Sequence, residues 1–373
     1  MGQRCVGQDR RDAGIEAMPQ EIFGGPGGKG TVTPGGFLPI LPHPSSGHAM
    51  SSRPTVIVTR RLPPAVEAAL QATYDVVLSR DDRPMGPAEL QRALGEGDAV
   101  LCTVTDRIGA DVMAASPRRA RMIANYGVGT DNLDLVAAAA HEIVVSNTPD
   151  VLTDCTADLT MALMLATLRR TGEGERELRG GRWTGMRPTH MLGARVSGRT
   201  LGIVGLGRIG RAVARRAHFG FGMRVLGFSR SPIESSVLAA HGIEAVATLE
   251  QLLADADVVS LHCPSTEATR GMMNASRIAL MKPKSFLINT ARGDLVDDDA
   301  VIAAVMAGHL AGIGLDVYRG EPDFDRRYLS LEQAVLLPHL GSATRETREA
   351  MGFRVIANLD AFFRGEAVPD RVG

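Results

Sequence analysis

From Pro54 onward, short β-branched apolar runs alternate with stretches that are apolar at every third or fourth position. Residues 55–59, 74–78, 99–103, 121–125 and 143–146 read as five strands, and residues 64–74 read as the first helix between them. Strands separated by helical segments predict a parallel sheet. Residues 153 to about 178 are rich in Ala, Leu and Met with an i, i+3, i+4 apolar period, which predicts one long helix leading out of this first unit. Gly180-Gly181-Arg182-Trp183 then predicts a loop. A second β-α series follows, with strands expected at 200–204, 224–228, 257–261, 285–289, 312–316 and 334–337. Six strands in this rhythm match a doubly wound sheet, and no repeat of 20–50 residues points to a solenoid. The fold class expected from this pattern is α/β, with a parallel sheet in each unit.

Residues 1–53 break this pattern. Gly and Pro make up roughly a third of that stretch, well above ordinary usage. It has no hydrophobic period and no signal-peptide apolar core, so a disordered extension is expected, with Met50 the natural beginning of the folded protein. In the whole chain, 41 basic residues balance 42 acidic ones, which argues against nucleic acid or an anionic membrane as partner. The four cysteines, Cys5, Cys102, Cys155 and Cys263, lie far apart with no Cys-x-x-Cys pair, so no metal site and no disulfide framework is expected. No apolar run reaches the length of a bilayer span, and a cytoplasmic protein is expected.

The first chemical signal is Gly205-Leu206-Gly207-Arg208-Ile209-Gly210, which follows a predicted strand and opens a helix expected over 211–218. In a G-x-G-x-x-G turn the first glycine makes the tight bend and the second admits the pyrophosphate. The third lets helix and strand pack, while the helix N-terminus attracts negative charge. A dinucleotide is therefore expected. The next strand ends in Phe228-Ser229-Arg230-Ser231, without the carboxylate that would accept hydrogen bonds from the ribose of NAD. Ser229, Arg230 and Ser231 instead suit a 2′-phosphate, so NADPH is the expected cofactor, with NADH as the alternative.

Three polar residues fall where later strands of the second series end: Arg292 in Asn289-Thr-Ala-Arg-Gly-Asp294, Glu321 before Pro322, and His339 after Pro338. Open α/β sheets place ligands at the carboxyl ends of their strands. Arginine offers a planar fork to a carboxylate, histidine exchanges protons near neutral pH, and glutamate orients and charges an imidazole. His262 reads as a packed strand-end histidine, and Cys102, Cys155 and Cys263 read as small core residues.

At these residues the chain resembles the D-isomer-specific 2-hydroxyacid dehydrogenase family, in its glyoxylate/hydroxypyruvate reductase branch. The resemblance spans about residues 54–373. It rests on Gly205–Gly210, His262-Cys-Pro-Ser-Thr266 with Thr269, the Arg292 segment, Glu321-Pro322, and Pro338-His339 followed by Gly341-Ser342-Ala343-Thr344. The resemblance implies an α/β fold of two Rossmann-like doubly wound parallel-sheet domains with an inter-domain active-site cleft. One would be a substrate-binding domain of residues 54–149 completed by 340–373, and the other a dinucleotide-binding domain of residues 150–339. It also implies that Arg292 holds the substrate carboxylate and carbonyl oxygen, that His339 protonates that oxygen, and that Glu321 holds the imidazole charged. By the same resemblance, backbone N–H groups near Val128 and Gly129 bind the carboxylate. Asp316 would face the nicotinamide amide, and Thr153, Pro264, Thr269, Thr290 and Gly341 would border the cofactor.

The expected activity is NADPH-linked reduction of small 2-oxoacids, glyoxylate to glycolate and hydroxypyruvate to D-glycerate, by a homodimer joined through the region 155–195. Two alternatives share the motifs: an NAD-linked dehydrogenase for another oxoacid such as D-lactate or phosphoglycerate, and a corepressor-like NAD(H)-sensing binding protein. The chain departs from animal reductases of this branch, which carry a second Trp in the loop after the long helix where this chain has Met186 after Trp183.

Overall fold

The computed structural model describes residues 53–373, so the expected N-terminal extension lies outside the described residues, save Arg53. That arginine already belongs to the folded part, because its guanidinium donates to the carbonyls of Gln71 and Thr73.

Among the described residues, thirteen strands form two sheets. They are β1 (Thr55–Val58), β2 (Asp75–Val77), β3 (Ala99–Thr103), β4 (Met122–Tyr126), β5 (Val144–Ser146), β6 (Thr200–Val204), β7 (Arg224–Phe228), β8 (Ile243–Ala245), β9 (Val258–Leu261), β10 (Ser285–Asn289), β11 (Leu310–Leu315), β12 (Ala334–Leu336) and β13 (Arg371–Val372). The first sheet runs β13-β5-β4-β3-β1-β2, parallel except where β13 pairs antiparallel with β5. Its parallel part has the 2-1-3-4-5 order of flavodoxin-like sheets. The second sheet is parallel throughout and runs β12-β11-β10-β9-β6-β7-β8. Its order reverses between β6 and β9, which is where such sheets bind ligands.

Both sheets are covered on both faces, which explains why their strands read as continuous apolar runs. In the first, Val56, Val58, Leu101 and Ala124 pack on Val66, Leu70, Val355 and Leu359, whereas Ile57, Val100 and Ile123 pack on Leu90, Leu94 and Met113. In the second, Val204, Val259, Leu287 and Ile313 meet Leu252, Ile278 and Val301, and Leu201, Ile203, Val225 and Ile288 meet Met161, Met164 and Val213.

Four elements differ from the sequence expectation. The long helix is two, Thr153–Leu168 and Thr171–Arg179, because Arg170 adopts a left-handed backbone (φ 54°). The carbonyl of Leu168 is captured by Ala194 N–H at 2.8 Å, so the helical ladder cannot continue there. The helix after the glycine turn begins at Arg208, not 211, and relaxes into a π turn over Arg216–Gly220. Strands β8 and β13 are only three and two residues long, too short to show a period. Tertiary bonds hold the last one: buried Asp370 pairs with Arg354 at 2.6 Å, and its N–H donates to Asn358 at 3.0 Å.

Candidate active site

A cavity of about 1520 Å³ opens between the carboxyl ends of the two sheets. The first-sheet half of the chain contributes the 126–136 loop and Arg348, and the second-sheet half contributes Arg208, Thr290, Arg292, Asp316, Glu321 and His339.

Arg292 follows β10, and buried Asn289 at the end of that strand fixes the turn that carries it. The Asn289 amide donates to the Arg292 carbonyl at 2.8 Å, and its oxygen accepts from Ala291 N–H at 3.0 Å. The Arg292 guanidinium crosses the cleft. Its Nε donates to Asp131 Oδ1 at 2.9 Å, and one terminal nitrogen donates to its neighbour's carbonyl, that of Ala291, at 2.7 Å. The other terminal nitrogen lies against Gly129, where a Cβ would stand 1.6 Å from it. Gly129 is thus glycine because an arginine occupies the place of its side chain.

The loop after β4 is held from below. Asn125, fully buried, donates to the Gly129 carbonyl at 2.8 Å, and Asn147 donates to the Val128 carbonyl at 2.8 Å. With both carbonyls taken, the N–H groups of Val128 and Gly129 have no acceptor among the described residues, and both residues line the cavity. The loop therefore presents two free donors beside an arginine, a combination suited to a carboxylate.

His339 Nδ1 lies 2.7 Å from Glu321 Oε2, and the other oxygen of Glu321 accepts from Tyr318 N–H at 2.6 Å. The carboxylate is thus fixed before it meets the imidazole. His339 itself has φ 57°, a left-handed conformation that costs a non-glycine residue about 1 kcal/mol. Buried Asp316 holds it there, since its two oxygens accept from Leu340 N–H at 2.6 Å and Gly341 N–H at 2.8 Å. Burial pushes the Asp316 carboxyl above its usual range, partly countered by those bonds. The carboxylate expected to face the nicotinamide amide is therefore also the clamp of the histidine turn.

At the switch point, the three glycines of the turn differ in what they do. Gly205 has φ 101°, and a Cβ there would stand 2.6 Å from the backbone at His262 and Cys263. A Cβ at Gly210 would stand 2.1 Å from the Gly205 carbonyl oxygen, whereas at Gly207 it would meet nothing within 4 Å. Gly207 is the N-cap of helix Arg208–Arg215 and offers no side-chain acceptor, so the first N–H groups of the helix are left without a side-chain cap. These features fit a dinucleotide pyrophosphate. Arg208, which pairs with Asp150, lines the cavity with Ile209, Thr153, Pro264, Thr290 and Gly341. Thr290 is anchored to Thr160, hydroxyl to hydroxyl at 2.8 Å.

Ser229, Arg230 and Ser231 directly follow β7, the strand between β6 and β8, and lie outside the cavity lining. Thr269 also lies outside that lining. Its hydroxyl closes a turn, donating to the Pro264 carbonyl at 2.7 Å, and it is Thr266 that faces the cavity. His262 lines the cavity with its Nε2 on Ser260 Oγ at 2.8 Å, and burial lowers its pKa to about 4, which leaves it neutral. Burial also pushes the Cys263 thiol up to about 11 and the Cys102 thiol well above its usual value, so neither is a nucleophile at neutral pH.

Asp131, Asn289, Gly293 and Tyr318 escaped the sequence reading. A Cβ at Gly293 would stand 1.9 Å from the Tyr318 backbone, so this glycine lets the arginine turn rest on the segment that leads to Glu321. Gly293 adjoins Arg292 in sequence, which was a usable signal; nothing in the sequence joins Asp131 to Arg292. Among the described residues no group of His, Cys, Asp and Glu is placed to hold a metal ion, and no helix is long and apolar enough to cross a membrane.

The sequence profile of the D-isomer specific 2-hydroxyacid dehydrogenase, NAD binding domain, matches residues 161–341. The chain is 40% identical over 326 residues to a glyoxylate reductase of Thermococcus litoralis, covering 86% of this chain and 97% of that protein. Among solved structures, a D-isomer specific 2-hydroxyacid dehydrogenase from Polaromonas superposes with a TM-score of 0.81 at 36% identity, covering 86% of this chain and 100% of that one. An NADPH-dependent glyoxylate/hydroxypyruvate reductase from Sinorhizobium meliloti, solved with NADP and malonate, superposes with a TM-score of 0.76 at 36% identity over 86% of this chain and 97% of that one. With its two parallel α/β sheets, its glycine turn at the switch point and these relatives, the chain belongs to the D-isomer specific 2-hydroxyacid dehydrogenase family and is an oxidoreductase that uses a nicotinamide cofactor.

Proposed function

We propose that the protein is an NADPH-preferring reductase of small 2-oxoacids, converting glyoxylate to glycolate and hydroxypyruvate to D-glycerate. The observation that carries this reading is the convergence, in one cavity, of Arg292, two unpaired N–H groups and a glutamate-held histidine beside a dinucleotide turn. The glyoxylate reductase of Thermococcus litoralis supports the substrate, and the NADP-bound reductase of Sinorhizobium meliloti supports substrate and cofactor.

In this reading residues 150–339 form the dinucleotide-binding domain, and residues 54–149 with 340–373 form the substrate domain. Gly205, Gly207, Gly210 and the N–H groups of Arg208 and Ile209 hold the pyrophosphate. Ser229, Arg230 and Ser231 take the 2′-phosphate. Asp316 faces the nicotinamide amide, Thr153, Pro264, Thr290 and Gly341 border the cofactor, and Thr269 supports the Pro264 turn from outside the cavity. When bound, the cofactor supplies the hydride. Arg292 and the N–H groups of Val128 and Gly129 hold the substrate carboxylate, and Arg292 also polarises the carbonyl oxygen. His339 then gives that oxygen its proton from Nε2, since Nδ1 is committed to Glu321, which fixes the ring's orientation.

The exposed apolar side chains of Leu178, Trp183, Met186 and Leu192 support a homodimer joined through this region, because so much apolar surface on one arm favours a covering partner. Initial rates with NADPH and with NADH, each against glyoxylate, hydroxypyruvate and pyruvate, test the assignment. Faster NADPH-linked reduction of the first two is expected. Preference for NADH with another oxoacid overturns the cofactor and substrate, and tight dinucleotide binding without turnover favours the corepressor-like alternative.

A further inference from the structure

The ion pair between Arg292 and Asp131 joins residues 161 positions apart, one from each half of the cleft. Arginine has five N–H donors in a flat fork, and how many reach a substrate depends on how the fork is turned. Here Nε is spent on Asp131, one terminal nitrogen is spent on the Ala291 carbonyl, and the remaining one lies against Gly129, beside the free N–H groups of Val128 and Gly129. Asp131 also contacts the site of the missing Cβ, since its Oδ1 would stand 2.8 Å from that atom. The side chains of Arg292 and Asp131 are 27% and 46% exposed, so the pair sits at the cavity wall, neither buried nor free in solvent.

An exposed arginine rotates among many rotamers, and a bound anion must then select one of them. We propose that Asp131 is a positioning residue that holds the Arg292 guanidinium edge-on, so that one terminal nitrogen and the two loop N–H groups form a preorganised three-donor pocket for a single carboxylate. Because Asp131 belongs to the first-sheet half and Arg292 to the second, the pocket is complete only when both halves face each other as they do here.

This inference rests on the reading of Arg292 as the carboxylate binder, and oxalate binding by titration calorimetry separates the two. Oxalate is a non-reacting anion, so its affinity reports the pocket whether or not glyoxylate is reduced. Asp131→Ala is expected to weaken oxalate binding about tenfold and to raise the KM for glyoxylate more than it lowers kcat, with NADPH affinity and melting temperature retained. Asp131→Asn keeps an oxygen to accept from Nε and is expected to recover most of the affinity lost in Asp131→Ala for glyoxylate. Affinities within a factor of two of wild type in Asp131→Ala overturn the inference. So does tighter oxalate binding in both variants, the result of removing a negative charge beside an anion site when Asp131 does not hold the guanidinium, and so does a loss matched by NADPH affinity, which assigns it to the fold. If oxalate binds in an Asp131-dependent way while no oxoacid turns over, the proposed activity fails and the pocket stands.

Discussion

Replacing Gly129 by alanine isolates the geometry of the arginine. The added Cβ would lie 1.6 Å from the Arg292 terminal nitrogen and 2.8 Å from both its Cζ and Asp131 Oδ1. Non-bonded heavy atoms rest at about 3.5 Å, so the guanidinium must withdraw by roughly 2 Å. Gly129 does not occupy the left-handed region, so alanine adds no backbone strain, and the displaced atoms are the free end of a side chain. Stability should therefore be nearly unchanged while the site is lost. Misplacement by about 1 Å can cost a hundredfold in rate, so kcat/KM for glyoxylate should fall by two orders of magnitude or more, equivalent to ~2.7 kcal/mol of transition-state stabilisation. Steady-state kinetics on the variant, with melting temperature and NADPH affinity measured in parallel, give the answer. A kcat/KM within threefold of wild type refutes the placement of Arg292, and a large drop in melting temperature refutes the reasoning that Gly129 is there for clearance alone.

Other outcomes follow from the same structure. His339→Ala removes the proton donor and should lower kcat by about 10²–10⁴ while NADPH affinity, measured by fluorescence titration, stays intact. Arg230→Ala should raise the KM for NADPH far more than that for NADH, and equal effects on both would remove the 2′-phosphate assignment. His262, with a folded pKa of about 4 against 6.5 unfolded, takes up a proton in the unfolded chain first. Its contribution to stability is therefore complete above pH 6.5 and is lost as pH falls toward 4, by at most about 3 kcal/mol. His262→Gln should flatten the fall in melting temperature over that range, and an unchanged pH slope would show that His262 is protonated in the fold.

The glycine turn was legible because two of its glycines answer backbone constraints within six residues, a positive φ at 205 and a 2.1 Å approach at 210, while the third, 207, leaves open space at the start of the helix. The alternation of strands and helices was legible for a related reason, since sheets covered on both faces leave long apolar runs. Arg292, Glu321 and His339 could be picked out because each ends a strand or follows one closely. The break at Arg170 was hidden because what stops the helix is Ala194, two dozen residues later in the chain. Asp131 was hidden for the same reason at greater range, as no local pattern marks an aspartate whose partner lies across a cleft. The second duty of Asp316, clamping the turn of His339 through two backbone N–H groups, likewise exists only in three dimensions.

The central claim is that Arg292, His339 and the glycine turn form one reaction centre for a 2-oxoacid. A single-turnover experiment tests it most directly: enzyme in excess over NADPH is mixed with glyoxylate, the loss of NADPH absorbance is followed, and the product is identified. One glycolate formed for each NADPH consumed, slowed on the order of a hundredfold or more in His339→Ala, is the predicted result. Loss of NADPH without glycolate, or the same rate in the variant, would contradict it.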